Sequence, residues 1–224
     1  MYWDNQKLFK ETQKALVNNN YSGVSLFLGI ANSSMIEGID TIKIKEDTTK
    51  SLLAVQMRSL FELRDYISNN KQNQLKFAYR YYSNDSHASV PLIAEYDAFH
   101  VIFNYYPFKL SYNDYSNVNQ ALISKIENHF ENVSKQMGYK VKPPEDMVNS
   151  FGYVALNSKN YDDAIYIFKL NVKNYPESYN VYDSIGEFYE ARGDKANAID
   201  SYKKALLIKE VPYTRQKLEK LQGK

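Results

Sequence analysis

Cysteine is absent from the 224 residues. That excludes disulfides, thiol nucleophiles and zinc sites of the cysteine type, and it leaves the compartment open. Histidine is scarce: only His87, His100 and His129 occur, and no two share a metal-ligand spacing, so neither a metal nor a cofactor is expected. No apolar run approaches the roughly 18 residues that a membrane-spanning helix needs. The stretch 1–20 is polar and lacks the apolar core of a signal peptide, so the chain as written carries none. An excess of one charge is missing too. The 28 basic and 26 acidic residues are spread evenly to a net charge of +2, which gives no electrostatic footprint for nucleic acid.

What remains is a hydrophobic fraction of 44%, ordinary for a globular chain, with 21 tyrosines. Much of the apolar surface therefore carries a polar tip that seeks a hydrogen bond when buried. The length gives room for two modest domains.

In chain order, Phe9, Gln13, Leu16 and Val17 share one face of a short helix that ends at Asn18-Asn19-Asn20. Val24 to Ala31 is almost continuously apolar, which predicts a strand buried on both faces. Residues 32–49 read as a loop bearing Glu37, Asp40, Glu46 and Asp47; Asp47 or Thr48 is placed to cap the next helix. That helix carries Leu52, Val55, Leu60, Leu63 and Ile67. Leu75 to Tyr82 predicts a second strand, with Phe77, Tyr79 and Tyr81 on one face and Ala78 on the other. The polar loop Asn84 to Ser89 follows. Pro91 suits the first turn of a helix that ends near Tyr106-Pro107. Strands alternating with helices imply parallel pairing. Two strands make only a fragment of such a sheet and leave an open edge.

Everything after a linker at 107–117 is helical. Leu122, Ile126, Phe130, Val133 and Met137 form one stripe of a helix stopped by Gly138. A repeat follows. Gly152 and Gly186, Ala164 and Ala198, Phe168 and Tyr202, and Phe151 and Ile185 are each separated by 34 residues, the tetratricopeptide spacing. The small residues let paired helices approach, and Asn160 and Gly193 sit in the turns between them. Departures are Ala155 where the pattern prefers tyrosine, and Glu210 with a late Pro212. Tyr213 to Leu221 reads as a solvating end helix. Two repeats are fewer than the roughly three usually needed, so helix 118–137 or the first domain is expected to cover the open end. The divisions are thus 1–110, 111–144 (linker and connecting helix) and 145–224.

His87 stands out as a histidine on a polar loop between a strand and a helix, where α/β enzymes often keep a general base. Most loop histidines are merely solvated. The stretches Tyr2-Trp3-Asp4-Asn5, Leu26-Phe27-Leu28-Gly29-Ile30-Ala31-Asn32 and Asp85-Ser86-His87-Ala88-Ser89-Val90-Pro91-Leu92 together resemble the last third of serine esterases of the α/β-hydrolase superfamily, the group of siderophore esterases and esterase D-like proteins. Some bacterial members are followed by tetratricopeptide repeats, and Asn180-Val181-Tyr182-Asp183-Ser184 is similar to that tail. The fold this implies is a partial α/β-hydrolase sheet followed by an all-α repeat region.

The resemblance gives His87 the role of general base, taking the proton of a serine hydroxyl and returning it to the leaving alcohol. The family's serine sits in G-x-S-x-G, before the acid and the histidine. The glycines here are at 23, 29, 38, 138, 152, 186, 193 and 223, and no two are four apart. Ser86 and Ser89 share the loop of His87 and lack a strained elbow. The expectation is a chain beginning downstream of the serine and inactive alone, from a parent whose compartment is open, periplasmic or secreted included. Asn32, the first polar residue after the first strand, cannot act as the triad carboxylate. Glu37, Asp40 and Asp47 are the candidate acids, with a Ser-His dyad as the remaining option. Asp85 is expected to order the loop, and His100 and His129 to be structural.

The complete enzyme would take a small-molecule ester. The alternative is an interaction module whose repeats bind a protein partner, and a third reading makes the open edge a homodimer contact.

Overall fold

The computed structural model describes residues 7–32 and 52–223. The chain divides into two compact units, Met1–Pro107 and Phe108–Lys224. The first is mixed α/β and the second is helical, so the connecting helix belongs with the helices that follow it.

The first unit contains α1 (Lys7–Asn18), β1 (Ser25–Ala31), α2 (Leu52–Asn69), β2 (Lys76–Tyr82) and α3 (Val90–Ile102). The strands pair in parallel, from Ser25 opposite Lys76 to Ala31 opposite Tyr82. Side chains alternate between faces as strand geometry requires. On one face Leu28, Ile30 and Tyr81 pack with Met57, Leu60 and Phe61 of α2. On the other, Ala31 and Tyr82 pack with Val90 and Ala94 of α3. Gly29 sets how closely α3 lies, since a Cβ there would stand 2.7 Å from the Ala94 Cβ. A third cluster joins Leu16 of α1 to Leu63 and Ile67 of α2, with Phe9, Tyr66 and Phe77 around it. Asn73 ties it down: its Nδ2 donates to the Leu16 carbonyl at 3.2 Å, and its own carbonyl accepts from the Tyr21 N–H at 2.7 Å.

Burial on both faces does not hold along the whole of the first strand. Ile30 and Ala31 are buried, but Val24 and Leu26 are 47% and 42% exposed. On β1 the covering helices reach only the carboxyl half, whereas Phe77 at the amino end of β2 packs with Leu63 and Ile67 of α2. Val17 likewise points outward at 66% exposure while Leu16 beside it is buried, and α3 ends at Ile102, short of Tyr106-Pro107.

The second unit contains α4 (Gln120–Met137), α5 (Glu145–Asn157), α6 (Tyr161–Asn174), α7 (Tyr179–Ala191), α8 (Lys195–Ile208) and α9 (Pro212–Gln222). Asn119 caps α4, its side chain accepting from the N–H groups of Ala121 and Leu122. The α4 stripe is in place: Leu122, Ile123 and Ile126 share a core with Val148, Phe151 and Ala155 of α5 and Ala164, Ile167 and Phe168 of α6, and Phe130 packs at its edge. Helix pairs α5–α6 and α7–α8 are built alike. A Cβ on Gly152 would stand 2.6 Å from the Phe168 ring, and one on Gly186 would stand 2.6 Å from the Tyr202 ring. In each pair the glycine makes room for the aromatic that the same repeat supplies on its second helix. Helix α9 buries Thr214 and Leu218, packs Leu221 against the same core, and leaves Tyr213 exposed among polar residues.

Candidate functional site

The site begins where β1 and β2 end together. Past Ala31 and Tyr82 the strands part, and the backbone of β2 turns through residues 83–89 into α3. Asn32, 2% exposed, stands at this fork. Its N–H donates to the carbonyls of Tyr82 (3.2 Å) and Asp85 (3.0 Å), and its Nδ2 donates to the Ser83 carbonyl at 2.9 Å. Three residues further on, the loop is fastened again. The Ser86 carbonyl accepts from the N–H groups of Ser89 and Val90, which starts α3, and Pro91 fits the first turn, where no N–H is needed. Asp85 Oδ1 accepts from Ser89 Oγ at 3.0 Å, and Ser86 Oγ accepts from the Ala88 N–H at 3.3 Å. Asp85 thus orders the loop, and both loop serines are engaged within it.

His87 lies on the turn between these fastenings, just beyond the carboxyl end of β2, with its side chain exposed. No described side chain hydrogen-bonds its ring. Glu37, Asp40 and Asp47 lie outside the described residues, as does Thr48. His100 is exposed on α3 with its ring 4.4 Å from that of Tyr96. The His129 ring on α4 lies 4.8 Å from Phe108 and 4.9 Å from Phe130. Among the described residues no cluster of three or more histidine, aspartate or glutamate side chains could hold a metal ion.

Beside the loop, Tyr82 donates its hydroxyl to Asp97 Oδ2 of α3 at 2.7 Å, and Arg80 reaches the same oxygen at 2.9 Å. Burial, and then the bond to Asp97, push the Tyr82 phenol up to about 12. The group is a neutral strut joining β2 to α3, not a proton donor near neutral pH. Chemically, the arrangement offers one accessible imidazole on a braced loop at the carboxyl end of parallel strands. An imidazole so placed can exchange a proton with a group brought to it.

Two features were not legible from residue patterns. Asn32 was set aside because an amide cannot serve as an acid, yet its use here is as a donor. In the second unit, polar side chains bond at the repeat period: Tyr153 Oη donates to Glu187 at 2.5 Å and Lys217 Nζ to Asp183 at 2.7 Å, each pair 34 residues apart. Lys217 also bonds Glu187, and Thr214 donates to Asp183. Polar positions at the same period as the glycines were the available signal.

The two units together define a small parallel α/β layer followed by a helical array of paired helices. No protein-family model matches this chain, and no curated protein matches it. Among solved structures, an uncharacterised protein from Capnocytophaga ochracea is similar, with a TM-score of 0.56 at 16% identity, covering 97% of this chain and 58% of that one. At that identity the likeness is one of fold, and this chain spans 58% of the length of its neighbour.

Proposed function

We propose that this chain is the carboxy-terminal part of a carboxylic-ester hydrolase of the α/β-hydrolase type, followed by a pair of tetratricopeptide repeats. His87 is its general base, the acid comes from Glu37, Asp40 or Asp47, and the serine nucleophile lies on polypeptide outside these 224 residues. The observation that carries this reading is His87 on a turn at the carboxyl end of a parallel strand pair, the end at which open α/β sheets bind ligands.

The chain alone should not turn over p-nitrophenyl butyrate. Joined to a segment supplying G-x-S-x-G, it should, and His87→Ala should then cost about a thousandfold or more in kcat. Turnover by the chain alone that vanishes in His87→Ala would overturn the division of the site. A joined enzyme indifferent to His87→Ala would overturn the base assignment.

The second reading, a protein-interaction module, is favoured by a groove of about 430 Å3 between α6, α7 and α8, floored by Tyr182, Ile185 and Tyr189 and edged by Lys203, Lys204, a single acid, Asp200, and the exposed Leu207. An acidic amphipathic helical peptide should bind the whole chain there and lose affinity in Lys204→Glu; equal binding by both would exclude the groove.

A further inference from the structure

We infer that Asn32 is the positioning residue for His87, fixing the loop on which the imidazole stands. The inference rests on the reading of His87 as a proton-transfer group. Three donor contacts from one residue converge on Tyr82, Ser83 and Asp85, all within five residues of His87 in the chain. The N–H continues the strand ladder onto the Tyr82 carbonyl and also meets the returning Asp85 carbonyl, so β1 reinforces the loop's own turn, in which the Asp85 N–H donates to the Tyr82 carbonyl at 3.4 Å. The side-chain amide then holds Ser83 inside the bend.

The chemistry selects asparagine. An aspartate has the same shape, but ionised it has no donor and would set a carboxylate oxygen against the Ser83 carbonyl. A leucine would leave that carbonyl without its partner. Because Asn32 is buried, solvent competes weakly for these bonds. The second fastening, Asp85 with Ser89 and the Ser86 carbonyl with α3, closes the far side. Between the two, only Ser86 to Ala88 are left to place the ring.

The test uses the full chain and needs no ester, so its failure is separate from failure of the hydrolase reading. Amide hydrogen exchange and the ring resonances of the three histidines are compared in wild type, Asn32→Asp and Ser89→Ala. In Asn32→Asp the backbone bonds can persist while the amide donor is lost. Exchange at Ser89 and Val90 should rise roughly tenfold, the worth of one such bond. The His87 ring signal should change, while His100, His129 and the β1–β2 ladder amides stay unchanged. Ser89→Ala removes an exposed side chain that cannot unfold the unit, and should loosen the same amides. An unmoved His87 signal in Asn32→Asp would overturn the inference. So would an equal rise in exchange across the whole strand ladder, because Asn32 would then be a general stabiliser and not a positioning residue.

Discussion

Lys159 holds a backbone conformation that lysine rarely takes. Its φ is +61°, and Gly193, 34 residues later, fills the equivalent turn at +74°. The left-handed region costs a residue with a Cβ on the order of 1–2 kcal/mol, and glycine escapes that cost. Lys159 is exposed and makes the turn between α5 and α6, so replacing its side chain disturbs little else. Lys159→Gly should raise the stability of the second unit by about 0.5–1 kcal/mol, and Gly193→Ala should lower it by about 1 kcal/mol or more. Urea denaturation followed by circular dichroism checks both signs; a destabilised Lys159→Gly would mean that the lysine side chain compensates its own strain. The same turn shows a limit of residue-level reading. Asn160 is a natural turn residue and draws attention, but the strained position is its neighbour, a lysine whose composition announces nothing. Asn32 is the parallel case at the site. Chemistry read as a choice of acids passes over an amide whose contribution is two kinds of N–H.

Elements were more legible than residues. The apolar runs predicted both strands and their parallel pairing, because alternation and helix spacing are local properties. The stripe on α4 lies where its period placed it, with Phe130 partly buried among Phe108, Leu170 and the α5–α6 core. A carboxylate there would forfeit the ring's packing on that core, with Glu127 and Glu131 lining the same groove as Lys140 and Lys173, and Phe130→Asp should cost about 2–3 kcal/mol. A calorimetric melt in which the second unit is unchanged would place the stripe elsewhere. Less legible was how far a covering element reaches. The run at Val24 to Ala31 reads the same along its length, whereas α2 and α3 cover only its carboxyl half, so Val24 and Leu26 stay exposed.

Links between helices at the repeat period add a pH dependence. Burial pushes the Lys217 ammonium down, but its bonds to Asp183 and Glu187 outweigh this and the net shift is upward from 10.5. A cation with a raised folded-state pKa contributes stability that is fully present below its unfolded value, 10.5, and is lost as pH rises beyond it through the folded value. Lys217→Met leaves two carboxylates without their cation and should cost about 2–4 kcal/mol at neutral pH. The gap between variant and wild type should narrow above pH 10.5. A gap independent of pH would assign the loss to packing of the lysine stem.

At the scale of the whole molecule, the described elements of the first unit leave apolar surface exposed. Among the described residues β1 pairs only with β2, leaving a strand edge beside Val24 and Leu26. Helix α3 adds Leu92, Tyr96 and Phe99, 78%, 65% and 55% exposed, on its outer face. A strand edge with apolar neighbours recruits another edge, and contiguous exposed apolar patches mark contact surfaces. Helix α1 could in principle seal the edge within one chain, but its buried residue Leu16 and its neighbour Phe9 are spent on Leu63, Ile67 and Tyr66. Trp3 lies outside the described residues. We therefore predict that the isolated chain self-associates through its first unit. Light scattering across a tenfold range of concentration should give a mass rising from the 26.1 kDa of one chain toward twice that value. Val24→Lys with Leu26→Lys, charges placed on the edge as natural sheets place them, should hold it at one chain's mass without altering the helical signal of the repeats. A constant single-chain mass in the unmodified protein would show that the edge is sealed from within, and the association would then be excluded.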